Sequence, residues 1–363
     1  MKSLRIDGNN GEGRLMSRDD NTRLLYVDYY KAISIILVVL AHLSPANTGL
    51  KTWISSFNMP AFFFASGLFL KSDQDQTIGE TWRFIRKRLQ GLMIPFFFWG
   101  IIYAPFSFTN LAELTYGSHV MLKRAETLTY LWFLPTLFMS LLFFAAARFV
   151  LKKFFILPAK LALVAASFLI AWLLPASKIG YPWCFDVAFS AFGFLLLGNI
   201  SLPMIKAIRG FCKNQKAGIA IFGLATAVSF VGTLSYRLNL ANLAERVLMA
   251  EAKYGSMPLF LLTALSGILF TMAVSLLLDS IFAPTGRVSR ALTYVGKNTL
   301  AIFVVQKPFI LILRKVFSIV PVPDVMALIV SCIGTVFACC LTAVCLHKIL
   351  PVSLGRLLPP SDN

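Results

Sequence analysis

Three ionisable residues stand in the first apolar run of this sequence. Asp28 and Lys31 occur in Tyr26-Val-Asp-Tyr-Tyr-Lys31, and His42 closes Val38-Val-Leu-Ala-His42. At about 100° per residue, Asp28 and Lys31 lie about 60° apart on a helix, and Lys31 and His42 come within about 20° of each other after three turns. The three therefore share one face, with about 16 Å of helix between cation and imidazole. Ionisable groups in an apolar helix are costly and often functional. An imidazole there titrates near neutral pH and can serve as a general base. A bland account also exists. Asp28 and Lys31 make an i,i+3 pair with a snorkelling lysine, and His42 is an interfacial residue before Ser44-Pro45. The other two histidines, His119 and His347, fall in a loop and at the end of an apolar run.

Further along, Arg83-Phe-Ile-Arg86-Lys87-Arg88 places four cations in six residues. Such a run binds polyphosphate through charge-assisted hydrogen bonds, or anchors a loop against anionic lipid. Ser66, Trp132, Asp186 and Gln306 are further polar or amphipathic residues in or near apolar runs, each able to line a cavity or to be satisfied by a neighbouring helix. The six cysteines read as small buried hydrophobes. With only three histidines no zinc set is expected, and no metal site is predicted.

The elements that must position these residues are membrane helices. Of 363 residues, 58% are hydrophobic and only 14% charged, with a mean hydropathy of +0.75. A soluble domain averages about 45–50% apolar and about 25% charged. Soluble enzymes, disulfide scaffolds and disordered proteins are excluded. Ten spans are predicted by length and apolarity: 25–44, 52–70, 89–108, 128–150, 155–174, 183–200, 217–235, 256–279, 292–313 and 325–347. The second is the shortest and contains Asn58-Met59-Pro60. The net charge of +18 sits between these runs, as in cytoplasmic loops, so no nucleic-acid partner is expected. One set of alternate loops and tails holds about 22 Lys and Arg, the other about nine. Both termini are accordingly expected in the cytoplasm. Residues 1–23 read as a polar tail without signal-peptide character, 24–348 as the transmembrane domain, and 349–363 as a short C-terminal tail. The expected fold is an all-α integral membrane protein of about ten helices, and any chemistry must occur inside the bundle.

Taken together these segments resemble the acyltransferase-3 family of polytopic membrane acyltransferases, from about Leu24 to the last span. Lys31 and His42 are similar to that family's Arg/Lys-x10-His motif, and Asp28 to the acidic residue before it. Asn58-Met59-Pro60-Ala-Phe-Phe-Phe-Ala-Ser66-Gly67 resembles its "MPxFFFxSG" segment. Arg83-x-x-Arg86 resembles its cytoplasmic Arg-x-x-Arg motif. Trp132-Phe-Leu-Pro135 and Gly296-Lys-Asn-Thr-Leu-Ala resemble two further segments. There are two departures: Asn58 and Gln306 stand where the family often carries His.

The resemblance implies transfer of an acyl group, usually acetyl from acetyl-CoA, to a sugar hydroxyl of a cell-surface polysaccharide or its lipid-linked precursor. It implies a bacterial inner membrane, an acyl-CoA donor reaching the site from the cytoplasm, and no tightly bound cofactor. On this reading His42 is the base or acyl relay, Lys31 holds a phosphate or stabilises charge, and Asp28 positions Lys31. Arg83 and Arg86 grip the CoA phosphates, and Ser66, Trp132, Asp186 and Gln306 line the acceptor cavity. A transporter or exporter is the competing class, and a lipid or antibiotic acceptor the third reading. The absence of a visible internal repeat weighs against transport.

Overall fold

The structure is a computed structural model, which describes residues 24–45, 48–70, 77–104, 106–124, 126–175, 177–212, 216–319 and 322–356. Its helices are α1 (Leu25–Leu43), α2 (Gly49–Ser55), α3 (Asn58–Gly67), α4 (Ile78–Tyr103), α5 (Phe108–Tyr116), α6 (His119–Arg124), α7 (Phe133–Leu151), α8 (Leu157–Leu173), α9 (Phe185–Cys212), α10 (Lys216–Thr233), α11 (Tyr236–Asn239), α12 (Met257–Ile281), α13 (Arg287–Lys297), α14 (Thr299–Phe317) and α15 (Asp324–Ile349). No strand forms among the described residues. The polar tail 1–23 lies outside them.

Among the described residues, six helical segments are long and apolar enough to cross a membrane by themselves: Leu25–Leu43, Leu128–Phe154, Pro182–Cys212, Lys216–Asn242, Met257–Ile281 and Asp324–Ile349. The protein is thus an all-α multi-pass membrane protein. Two of the ten expected spans are not single helices. The second is broken at Phe57, where φ −144° and ψ −14° separate α2 from α3. At ten residues, α3 rises only about 15 Å, half the apolar thickness. The ninth is broken at Asn298, with φ −108° and ψ 20°. Its first third is α13, an amphipathic helix carrying Arg287, Arg290 and Lys297. Both breaks carry a local mark inside an otherwise apolar segment: Ser55-Ser56-Phe57-Asn58-Met59-Pro60 at the first and Gly296-Lys297-Asn298-Thr299 at the second.

α1 is the hub. It packs against α3, α12, α13, α14 and α15, and Tyr26, Tyr29 and Tyr30 on it are fully buried. Glycines set backbone-to-backbone contacts between helices, three of them among α1, α3, α9 and α13. A Cβ at Gly67 would strike the Leu195 carbonyl, one at Gly198 the Phe64 carbonyl, and one at Gly296 the Asp28 carbonyl. The first two press α3 onto α9, and the third presses α13 onto α1. Between α9 and α12, Arg209 Nε donates to Asp279 Oδ2 at 2.7 Å.

Two helix prolines leave carbonyls free, because proline lacks the N–H that would bond four residues back. Pro308 frees the Val304 oxygen, which instead accepts from the Tyr103 hydroxyl at 2.9 Å and the Tyr130 hydroxyl at 3.2 Å. Pro95 frees the Gly91 oxygen in α4. After α15 the chain turns back onto α4. Trp99 Nε1 donates to Ser353 O at 3.0 Å, and Ser353 and Leu354 are buried. Residues 351–355 are therefore part of the packed bundle.

Candidate active site

A cavity of about 500 Å³ opens between α1, α3, α4, α7 and the start of α14. Its mouth carries Lys31 from α1 and Lys87 and Arg88 from α4, and Ser66 and Thr299 add hydroxyls. Its deeper wall is apolar, built on Val38, Phe62, Leu137 and the Phe133 and Phe303 rings. Phe133 stands 5.8 Å from Phe62 and 5.4 Å from Phe303, centroid to centroid, so the three rings form one aromatic layer. Two glycines keep the mouth open. Gly91 has no Cβ to fill it, and Gly355 (φ +69°) lies directly against the Gly91 backbone. A side chain at Gly355 would meet both a clash and left-handed backbone strain.

Such a site suits a ligand with an anionic head and an apolar or flexible arm. The cations meet the head, and the wall buries the arm. Phe84 lies one turn outside Arg88 on the same side of α4. Its ring is 5.0 Å from the Arg88 guanidinium and 5.9 Å from that of Arg148. Cation–π contact of this kind holds Arg88 at the mouth. Lys31 lies 5.1 Å over the Phe69 ring, which also lines the cavity.

The expected site residues divide. Lys31 and Ser66 line the cavity. Ser66 Oγ donates to Phe62 O at 2.9 Å, which holds the hydroxyl along its own helix. Asp28 is buried one turn below Lys31, at the point where Gly296 admits α13. His42 is exposed and does not line the cavity. It continues the stripe Lys31–Val38–His42 along α1, one turn beyond Val38, about 6 Å of helix rise. Arg83 and Arg86 are exposed on α4 before the mouth. On an ideal helix Arg83 flanks the cavity face, while Arg86 falls nearly opposite it.

Trp132 is buried against Phe63 and Phe133, at 6.5 and 6.4 Å between centroids, behind the cavity wall. Asp186 lies in the first turn of α9, where a carboxylate complements the helix dipole. Gln306 is 2% exposed. Its Nε2 donates to Phe303 O at 3.1 Å, and its Oε1 has no partner. Asn58 caps its own neighbourhood, its Oδ1 accepting from Met59 N at 2.8 Å.

A family model described as an acyltransferase domain matches residues 24–344. The chain belongs to the acyltransferase-3 family. No curated protein matches it. Membership makes this a membrane acyltransferase, and the match covers every cavity-lining residue except Gly355.

Sequence reasoning about this acyltransferase missed three cavity features: the inward turn of Lys87 and Arg88, the hydroxyl of Thr299, and the return of Gly355. The first was legible, since Lys87, Arg88 and Gly91 share a face at i, i+1 and i+4. The last was not, because it depends on a contact between residues far apart in the chain. Among the described residues no group of His, Cys, Asp and Glu is arranged to hold a metal.

Proposed function

We propose that this acyltransferase moves an acetyl group from acetyl-CoA to a sugar hydroxyl of a cell-surface polysaccharide or its lipid-linked precursor, in a bacterial inner membrane. The observation that carries the reading is the cation-mouthed cavity on the same stripe of α1 as His42. The CoA phosphates meet Lys87 and Arg88 at the mouth, with Arg83 flanking them and Arg86 on the surface beyond. Arginine's planar donor fork suits phosphate. The flexible arm of CoA runs along the apolar wall and brings the thioester past Val38 toward His42. Lys31, at the mouth, neutralises a phosphate, and buried Asp28 one turn below holds Lys31 in place.

The imidazole of His42 takes the proton of the acceptor hydroxyl as the oxygen attacks the thioester carbon. The C–O bond forms, the tetrahedral oxyanion collapses, and the C–S bond breaks. The CoA thiolate then recovers the proton from the imidazolium. Ser66 lies on the donor's path, whereas Trp132, Asp186 and Gln306 shape the surrounding wall.

The test is free thiol release from acetyl-CoA by the purified full-length protein in nanodiscs, with a panel of lipid-linked glycans as acceptors. Wild type is expected to release thiol, and His42→Ala to lose it by about 10²–10⁴-fold, the range for a general base. Full release by His42→Ala removes His42 from the chemistry.

A further inference from the structure

Positive charge gathers where α1 ends, at the far end from the cavity mouth. Arg314 of α14 donates through Nη2 to the carbonyl oxygens of His42 and Leu43, the second at 3.3 Å. Lys51 of α2 donates through Nζ to Ser44 O at 3.4 Å. Lys307 stands two turns before Arg314 on α14, in electrostatic reach of His42 together with the other two. The basic residues here thus come from two separate elements, α2 and α14; Arg314 and Lys51 meet on the last carbonyls of α1, and all three cations lie in electrostatic reach of the His42 imidazole.

Their charge is not cancelled. Among the described residues none of Lys51, Lys307 and Arg314 has a carboxylate within ion-pair distance. The neighbouring Arg246 is paired to Glu245 at 3.0 Å. Capping α1 explains part of the arrangement, but a helix C-terminus carries only about half a negative charge. Three cations leave most of their charge over. Lys307 does not cap at all, since it makes no hydrogen bond among the described residues. The loops at this end are otherwise the basic-poor set, which makes the concentration around His42 more telling.

We propose that Lys51, Lys307 and Arg314 hold an anionic group of the acceptor, a phosphate or a carboxylate, beside His42. The inference rests on the reading of His42 as the base that meets the acceptor. Charge-assisted hydrogen bonds to that group fix the acceptor and bring a nearby hydroxyl to the imidazole. A neutral sugar leaves the three cations without a counter-charge and is selected against. The acceptor class is then an acidic sugar or a sugar on a phosphate-bearing carrier.

The experiment reads the site without needing turnover. The full chain in zwitterionic nanodiscs at low salt is treated with diethyl pyrocarbonate. Modification of His42 is followed by peptide mass spectrometry, with His119 and His347 as internal controls. The probes are inorganic diphosphate, methyl glucuronide, neutral methyl glucoside and acetyl-CoA. At saturating probe, diphosphate or glucuronide is expected to slow His42 modification by about fivefold or more, and methyl glucoside to leave it unchanged. Protection by diphosphate alone assigns the charge to a phosphate carrier, and protection by glucuronide alone assigns it to an acidic sugar. Lys307→Gln, which touches no backbone cap, is expected to abolish the protection. Rising salt is expected to weaken it in the unaltered chain.

The proposal is overturned if neither small anion protects, if methyl glucoside protects equally, or if acetyl-CoA alone protects. The same preparations are assayed for thiol release. Release that depends on His42, without anion protection, sinks this proposal and leaves the acetyl-transfer reading standing. Anion protection with His42-independent release leaves an anion site beside His42 and overturns its reading as the place where the acceptor meets its base.

Discussion

At the scale of single residues, the buried polar groups carry the sharpest consequences. Gln306 spends Nε2 on Phe303 O and leaves Oε1 buried without a donor. An orphaned acceptor costs about 1–3 kcal/mol, so Gln306→Met is expected to leave the melting temperature of the detergent-solubilised protein unchanged or raised. If the acceptor's hydroxyl supplies the missing donor, the same variant raises the acceptor KM while kcat holds. His119, outside the spans, gives a pH signature. Burial is the main cause holding its pKa down to about 4, with Glu251 opposing and Lys123 and Lys253 assisting. In the unfolded chain it titrates near 6.5. Below that pH the unfolded state takes up a proton that the folded state refuses, so stability is lost as pH falls from about 6.5 to about 4.

Glu251 adds nothing in most of that window. Burial pushes its carboxyl up, but hydrogen bonds from Lys253 and Lys123 outweigh this and bring it to about 2. Its contribution is present above the unfolded carboxylate pKa and fades only as pH falls through about 2. Melting curves from pH 7 to pH 5 are therefore expected to fall for wild type and to flatten for His119→Gln. Parallel slopes for the two proteins refute the assignment.

At the scale of elements, the glycine contacts decide how closely helices approach. Gly67 and Gly198 place the backbones of α3 and α9 against each other, and any Cβ there meets a carbonyl. Overpacking of this kind typically costs about 1–3 kcal/mol. Gly67→Ala and Gly198→Ala should both lower the melting temperature. Gly223→Ala, in open space on α10, should not, and serves as the control. The breaks at Phe57 and Asn298 belong to this scale as well. Apolar patterning predicted one span through each of these segments, and among the described residues neither is a single helix long and apolar enough to cross a membrane. It did not show where a helix stops, which Pro60 marks in the first segment and Gly296-Lys297-Asn298-Thr299 in the second, and at Asn298 a tertiary contact adds to the local signal. Asn298 Oδ1 accepts from His347 Nε2 at 2.7 Å, a contact across 49 residues that no local window contains.

At the scale of the whole molecule, the proposed orientation is open to a direct test. The proposal puts both termini in the cytoplasm, on the excess of Lys and Arg in one set of loops. A C-terminal green fluorescent protein fusion is expected to fluoresce, and an alkaline phosphatase fusion at the same point to be inactive. Activity of the phosphatase fusion inverts the orientation and puts the cavity mouth on the wrong side for acetyl-CoA.

The chain's composition by itself determined that this is a multi-pass helical membrane protein, because no other fold buries so much apolar surface at so low a charge. Its spacing determined that Lys31 and His42 share one face of α1, because helical geometry is local. Motif likeness pointed to the acyltransferase-3 family, and the family match bears it out. On α4, helix periodicity already separates Lys87 and Arg88 from Arg86, and tertiary structure decided that their face is the one turned to the cavity. Lys31, Lys87 and Arg88 face it, whereas Arg86 turns away. It alone brought Gly355 back to the mouth and gathered Lys51, Lys307 and Arg314 around His42. These placements depend on contacts between segments tens to hundreds of residues apart, and such contacts are settled by packing the whole bundle at once.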